Sequence, residues 1–413
     1  MKKRAMALLL ALLMILPMAG CGVRAQELTK DIEPQALDTT TDLTAGGEAV
    51  TAFALSLLRS ERAATEGVLI SPVSVLNALG MVANGAGGDT LKQLETAAGM
   101  SLNQLNDFLY TYRMSLPAAC KSCTVSLANS AWVREDFRVE DDFLRSCVNY
   151  YGAEMYRSAF DGSLVTDLNR WVSQKTDGMI DRLLEQAPDV LTMLYLVNAA
   201  CFDARWDTPY TKADLRTGLP FTAANGTQQT ADYLTGTENI YLSGNNVTGF
   251  VKPYDGGKYA FVALLPDEGV TLADYLENLT GEHLYKLITD HRSADVQVSI
   301  PKFDAQSELE LEEPLKDMGI TDLFNVSTAD LRGIGSAPSG NNLYVFSVLH
   351  KTYLELDENG TKAAAATSLE VNAGAAPPSE DVKTVTLDRP FLYMIVDTHA
   401  CVPLFMGTVT SME

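Results

Sequence analysis

Two apolar, strand-like segments near the C-terminus, "NLYVFSVLHKTYLEL" (residues 342–356) and "PFLYMIVDTHACVPLFMGTV" (390–409), are separated by "ENGTKAAAATSLEVNAGAAPPSED", residues 358–381. Any fold proposed for this chain must find a use for that separator. Alanine is the best intrinsic helix former, but the run Ala363–Ala366 is far short of the roughly 12–15 residues an isolated helix needs. Alanine is also a poor strand former. A loop of about twenty residues with no structure of its own is unusual in a compact domain, where it marks either a function or a misread element.

The rest of the chain is that of a large folded protein. With 413 residues, 46% of them hydrophobic and 20% charged, it can bury a sizeable core. The formal net charge of -22 argues against nucleic acid and anionic surfaces as partners. No basic cluster follows the N-terminal region, so a polyanionic cofactor is not expected either, and none is assigned. Residues 1–20 are a secretory signal: Lys2, Lys3 and Arg4 precede an apolar run, Ala5–Met18, too short to span a membrane comfortably. The signal ends in "LPMAGC", which resembles the bacterial lipobox, although Met18 stands where leucine is usual. Cys21 is then the lipidated new N-terminus, its lipid the chain's one expected contact with a membrane. An ordinary signal peptide cut near Ala25, giving a secreted protein, is the alternative. Residues 21–46 are polar and aperiodic and read as a tether with a reach on the order of 30 Å. The remaining residues, 47–413, show no internal linker or repeat and read as one domain.

With Cys21 lipidated, five cysteines remain, an odd number that precludes a complete disulfide framework. Cys120 and Cys123 form a CxxC, but it precedes a strand instead of opening a helix, so thioredoxin-like chemistry is not expected. A local disulfide and free thiols both stay open. The four histidines show no ligand spacing beside it, and no metal site is assigned.

Apolar residues at helical spacing mark helices in "GGEAVTAFALSLLRSER" (46–62), "SPVSVLNALGMVANGA" (71–86), "GDTLKQLETAAG" (88–99) and "VTDLNRWVSQKTDGMIDRLL" (165–184). Ser71 is a candidate N-cap and Pro72 suits the first helical turn. Strands are expected in "TVSLANSAWV", "LTMLYLVNAACFDARW", "YAFVALLP", "ADVQVSIPKF" and the two C-terminal segments. Helices weighted to the first half and long strands to the second imply α+β around a large sheet. There is no GxSxG elbow, P-loop, dinucleotide fingerprint or HExxH, so nothing supports an enzyme.

A series of separated motifs, in order, resembles the serpins. It comprises "VLISPVSVLNALGMVANGAGGDTLKQL", "LNRWVSQKTDGMIDRLL", "LVNAACFDARWDTPY", "PKFDAQSELELEEPLKDMGITDLF", "HKTYLELDENGTKAAAATS", "DRPFLYMI" and "PLFMGTV". The resemblance implies a large central sheet, two further sheets, about eight to nine helices and an exposed reactive loop. It also implies a protease inhibitor, not an enzyme, expected to be monomeric until it meets its partner, a target serine protease. The protease attacks the loop, and the cut loop inserts into the sheet before the acyl-enzyme hydrolyses, leaving a covalent complex. From Thr361 to Gly374, at roughly 3.4 Å per residue, the travel approaches 50 Å.

Strand alternation tests this on the residues alone. If Thr361 points inward, so do Ala363, Ala365, Thr367, Leu369 and Val371, while Lys362, Ala364, Ala366, Ser368 and Glu370 face out. Every charge lands outside. The resemblance further makes Glu358 and Gly360 part of the hinge with Thr361 and Ala363–Thr367, Ser71, Ser74, Asn198 and His350 the shutter beneath the sheet, and Trp206 the residue where loop insertion begins. Lys362 departs from the family's usual glutamate. Counting along the family's spacing selects Gly374–Ala375 as the reactive bond, with Val371, Asn372, Ala373 and Ala376 as alternatives because the segment before "RPF" is longer than usual. None is basic, which disfavours trypsin-like proteases. Elastase-like or subtilisin-like serine proteases are the expected targets. The other readings are an inhibitor of papain-like cysteine proteases and a non-inhibitory binding or chaperone module, whose hinge would carry bulky, charged or proline residues facing inward.

Overall fold

The structure, a computed structural model, describes residues 25–37, 41–61, 63–116, 123–188, 192–337, 340, 342–361 and 382–412. Among them are nine α-helices: α1 (Leu43–Ser60), α2 (Pro72–Ala83), α3 (Gly88–Ala98), α4 (Leu102–Ser115), α5 (Asp141–Tyr151), α6 (Gly162–Lys175), α7 (Leu272–Asn278), α8 (Gly281–Thr289) and α9 (Glu312–Asp317). Asp42 caps α1 by accepting from the Thr44 N–H, and Val50, Phe53, Leu57 and Leu58 are buried, as their spacing predicts. Every residue of α2 is buried, so this helix is held by packing on all sides.

The strands are β1 (Gln26–Glu27), β2 (Leu69–Ile70), β3 (Cys123–Arg134), β4 (Arg138–Val139), β5 (Glu154–Ser158), β6 (Leu194–Arg205), β7 (Leu215–Thr222), β8 (Gln228–Gly244), β9 (Val247–Pro253) and β10 (Tyr259–Pro266) in the first two thirds of the chain. They continue as β11 (Arg292–Pro301), β12 (Phe303–Glu310), β13 (Gly335–Ser336), β14 (Val348–Leu356), β15 (Gly360–Thr361), β16 (Lys383–Thr386), β17 (Phe391–Asp397) and β18 (Val402–Val409). Three sheets result. One has seven strands in the order β1-β5-β3-β6-β15-β14-β12, one has nine built along β16-β11-β8-β9-β10-β17-β18-β2, and one is the pair β13-β4. The architecture expected from the motifs is present: mixed α+β, with a large central sheet and additional sheets.

The two large sheets share a core. β10, β17 and β18 are buried along their whole length, which is why they read as continuous apolar runs. Phe202 of β6 packs edge-on against Tyr254 and Tyr259 at 5.0 and 5.5 Å, tying the seven-stranded sheet to the nine-stranded one. A separate apolar cluster holds α6 against the seven-stranded sheet, with Leu164, Leu168, Trp171 and Val172 on Trp132, Tyr156, Tyr195 and Val197. Trp171 Nε1 also donates to the Glu154 carboxylate of β5.

Three sequence expectations need correction. The helix expected over 165–184 stops at Lys175, because Asp177 (φ 49°) and Gly178 (φ 76°) turn left-handed and the Thr176 hydroxyl, accepting from the Ile180 N–H at 3.1 Å, closes the turn. Its apolar period continues because Ile180, Leu183 and Leu184 fold back onto the same cluster. The C-terminal apolar run is two strands, split by a turn in which Asp397 Oδ1 accepts from the His399 and Ala400 N–H groups. Finally, residues 25–37 do not hang free. Gln26 and Glu27 pair with Arg157 and Tyr156 at the edge of the seven-stranded sheet, the Ala25 N–H donates to Asp167 of α6 at 2.9 Å, and Leu28 and Ile32 pack on the core. Two apolar side chains and an unpaired sheet edge outweigh the polar composition from which a tether was expected.

Candidate functional site

β6 and β14 run parallel and are paired from Leu196 with Val348 to Ala200 with Thr352. Beyond that point they part, and β15 lies between them: Thr361 pairs with Leu356 on one side and Ala204 on the other, and Gly360 pairs with Arg205. The seam is thus closed over five residue pairs and already parted at one end, where the residues that begin the long loop lie. Thr361 is fully buried and shares a hydrogen bond with the Tyr254 hydroxyl. Its inward direction is the phase that strand alternation requires. Gly360 is needed for a steric reason beyond flexibility, since a Cβ there would lie 2.0 Å from the Ala204 carbonyl oxygen.

The turn leading into β15 is held from three directions. Asp357 Oδ1 accepts from the Asn359 and Gly360 N–H groups at 2.7 and 3.1 Å. Glu358 pairs with Lys302 at 2.7 Å, which keeps its carboxyl below the usual carboxylate range. Trp206 Nε1 donates to the Asp357 carbonyl at 3.0 Å, and the Trp206 N–H donates to the Asn359 carbonyl at 2.9 Å. The buried indole stacks on Tyr254 with ring centres 4.5 Å apart, while the ammonium of Lys252, paired with Glu238 at 2.7 Å, stands 5.2 Å above it. Trp206 is therefore a clamp on the start of the loop as well as core packing.

Below this opening, Ser71, Ser74, Asn198 and His350 are all buried. His350 and Asn198 are neighbours in register across the β6–β14 seam. His350 Nε2 accepts from the Ser71 N–H at 2.9 Å, and Asn198 donates to Asn129 of β3. Ser71 occupies the N-cap position expected for α2, but its side chain makes no capping bond. Ser74 lies one turn further along that helix, and its hydroxyl has no partner among the described residues. Burial pushes the His350 imidazole down to about 4, so at neutral pH it is an uncharged acceptor in the seam. Ala363–Thr367, Val371–Ala376 with the expected reactive bond Gly374–Ala375, Cys120 and Cys21 lie outside the described residues.

A family model described as "Serpin (serine protease inhibitor)" matches residues 48–412. The chain is a serpin. Its sequence is 30% identical to Iripin-8 of Ixodes ricinus over 365 residues, which cover 84% of this chain and 88% of that protein. In structure it is similar to the thermophilic serpin tengpin in its native state, with a TM-score of 0.88, 39% identity and coverage of 94% of this chain and 100% of the other. Against tengpin in its latent state the TM-score is 0.78, with 36% identity and coverage of 92% and 100%. The higher likeness to the native form agrees with a β6–β14 seam that is still paired.

A pH dependence follows for this serpin. The folded state holds His350 neutral down to about pH 4, whereas an unfolded chain protonates it near 6.5. Between those values the unfolded state binds the extra proton, so stability is fully present above pH 6.5 and is lost as pH falls toward 4, by on the order of 3 kcal/mol. Urea unfolding at pH 7 and pH 4.5 is expected to show that loss in the wild type and a smaller one in His350→Gln, whose amide keeps an acceptor but does not titrate. Equal losses would assign the effect to other groups. Three partners in this serpin's site carry no local signal: Asn129, Tyr254 and Lys302 are polar residues in strand-like or loop segments, separated by 56 to 107 residues from the groups they meet.

Proposed function

We propose that this serpin is a suicide-substrate inhibitor of elastase-like or subtilisin-like serine proteases, held by a lipid on Cys21 at the outer face of a bacterial cell envelope. The observation that carries the inhibitory reading is the parted end of the seven-stranded sheet, where Gly360 and Thr361 already sit between β6 and β14. A strand that has started to insert needs no nucleation when the loop is cut, and each further residue gains ladder hydrogen bonds on both sides. The protease serine attacks the carbonyl of Gly374, the amine of Ala375 leaves, and the acyl-enzyme forms. Insertion then carries the acylated end to the far end of the sheet and distorts the protease before water can release it. Small residues at Ala363 and Ala365 keep that race fast, because bulk or charge entering between β6 and β14 would have to be accommodated in a close-packed interior. The sequence of the loop around Gly374 supplies small, neutral side chains to the protease's specificity pocket.

The test uses pancreatic elastase, subtilisin and trypsin with the chain lacking residues 1–24. A complex with elastase or subtilisin that survives denaturing electrophoresis is expected, with a released fragment that begins at Ala375 by mass spectrometry and weak or no complex with trypsin. Cleavage without such a complex for every protease would overturn the inhibitory reading. The anchor has its own measurement: Cys21→Ala is expected to move the full-length protein from the detergent phase to the aqueous phase on detergent partitioning, and unchanged partitioning would remove the lipid from the proposal.

A further inference from the structure

A cavity of about 1140 Å³ lies among the described residues, walled by α7, by α8, by the tip of the β8–β9 hairpin and by the starts of β11 and β16. None of these elements belongs to the seven-stranded sheet. The volume is slightly above the roughly 300–1,000 Å³ usual for small-ligand sites. Each wall is fixed by bonds of its own. Asn246, at the hairpin tip, has a left-handed backbone (φ 59°), and its carbonyl accepts from the Asp267 N–H at 3.0 Å. Thr271 caps α7 by accepting from the Asp274 N–H at 3.0 Å, and Thr280 caps α8 by accepting from the His283 N–H at 3.1 Å. His291 Nδ1 donates to the Ile288 carbonyl at 2.9 Å, which leaves Nε2 of the neutral ring as an acceptor. The cavity is therefore formed before any ligand arrives.

Its lining selects the chemistry of the ligand. Most of the lining side chains carry nitrogen or oxygen, which argues against a lipid or another wholly apolar guest, since those groups would lose water without gaining a partner. The formal charges of the lining cancel, Lys286 and Lys383 against Asp274 and Asp290. Lys286 is moreover paired with Glu282 at 2.5 Å, and Asp274 accepts from the Thr271 hydroxyl at 2.6 Å, so neither charge waits for a counterion. A strongly charged ligand of either sign is therefore not favoured. What remains is neutral and works in both directions. The amides of Asn245 and Asn246 each offer donors and an acceptor, and neither side chain has a hydrogen-bond partner among the described residues. Asn278 spends its Nδ2 on the Asp274 carbonyl at 2.8 Å and keeps its Oδ1. Apolar groups stand beside these amides. Leu287 and Val247 meet over Gly244, where an added Cβ would touch them at 3.5 and 3.4 Å, and the buried Tyr275 and Leu279 line the same cavity.

We propose that this cavity is a binding site for a neutral oligosaccharide. Sugar hydroxyls donate and accept at once, as the asparagine amides do, while the C–H faces of the rings suit short apolar patches set between polar groups. A phosphate or sulfate ester would meet two carboxylates along with the two ammonium groups, and a fatty acid would have to strip water from the amides. The space exceeds what one sugar ring fills, so a short chain is the better fit. Because the walls are elements of the nine-stranded sheet and the two helices beside it, the site stands apart from β6, β14 and β15. Binding there does not depend on the inhibitory reading.

The experiment titrates the full chain, free of sugar-based detergent, with maltotriose, cellotriose and triacetylchitotriose at millimolar concentration in a calorimeter, with dodecanoate as the apolar comparison. Saturable binding of at least one trisaccharide is expected, and hydrogen exchange should slow on binding in residues 241–247 and 274–291. The variant Asn245→Ala/Asn246→Gly removes both amides, and its glycine keeps the left-handed backbone. It should weaken that trisaccharide about tenfold or more, as the loss of one or two hydrogen bonds implies, with urea unfolding unchanged. Ser243→Trp places bulk at the exposed rim and should abolish binding, so the result stands even if the double variant does not fold. The proposal is overturned by no saturable binding of any trisaccharide, by equal affinity in the folded variants, by exchange that slows elsewhere instead, or by binding of dodecanoate alone.

Discussion

If the proposed trapping holds, Thr361→Arg is expected to leave a substrate in place of an inhibitor: proteases that form stable complexes with the wild type should cleave the variant and leave intact. Thr361 is fully buried between β6 and β14, with its hydroxyl on Tyr254. Next to it lie the Ala204 backbone and the Tyr254–Trp206 stack, with no carboxylate among the contacts described for this residue. An unpaired buried charge costs several kcal/mol. At about 1.4 kcal/mol per tenfold, even 3 kcal/mol slows insertion on the order of a hundredfold relative to hydrolysis of the acyl-enzyme. Thr361→Val is the control. It keeps the volume, loses one hydrogen bond worth about 1 kcal/mol, and should still give mostly complex. The measurement is the number of inhibitor molecules consumed per protease trapped. A ratio for Thr361→Arg equal to that of the wild type would reject the inward placement of the loop's first residue.

Trp206→Ala should cost more stability than any other single change at this end of the sheet, about 3–5 kcal/mol, as large buried aromatics do. The loss has three components: the stack on Tyr254, the cation above the ring, and the bond from Nε1 to the Asp357 carbonyl. Trp206→Phe separates them, since it keeps much of the stack and loses the Nε1 bond at about 1 kcal/mol. Urea unfolding of the native form is the test. The alanine variant should also convert faster to the loop-inserted form, because the turn at Asp357–Asn359 loses its clamp. A cost below 1 kcal/mol for Trp206→Ala would mean that the indole fills space at this corner without holding it.

Most of the framework is legible in the sequence where local pattern and burial agree. "YAFVALLP" is a strand from its first residue to its last because both faces are buried and no position has to alternate. Val50, Phe53, Leu57 and Leu58 specify the face of α1 in the same direct way. Legibility fails where a local pattern is satisfied by more than one backbone. Ile180, Leu183 and Leu184 keep helical spacing with Trp171, yet they reach the same cluster by a turn, since Gly178 takes a left-handed conformation that a helix excludes. Residues 25–37 read as a tether because their composition is polar, and what holds them is an edge of the sheet that no local pattern reveals. In the site, Thr361 is buried, the premise from which strand alternation starts, and Trp206 and His350, named from the family motifs, are buried at the parted end and in the seam of the sheet. The partners that give those residues their work, Tyr254, Lys302 and Asn129, come from long-range pairing, and nothing near them in sequence distinguishes them from surface polar residues.

The docked strand β1 changes what an anchor at Cys21 would do. Only five residue steps separate Cys21 from Gln26, a span of at most about 17 Å. The lipid would then work as a mount that presses one edge of the seven-stranded sheet toward the membrane, with all its strands lying along the surface. A protease carried about 50 Å by the inserting loop would travel sideways over the membrane plane, neither lifted from it nor driven into it. Trapping would clear the place of attack while keeping the spent complex at the cell surface.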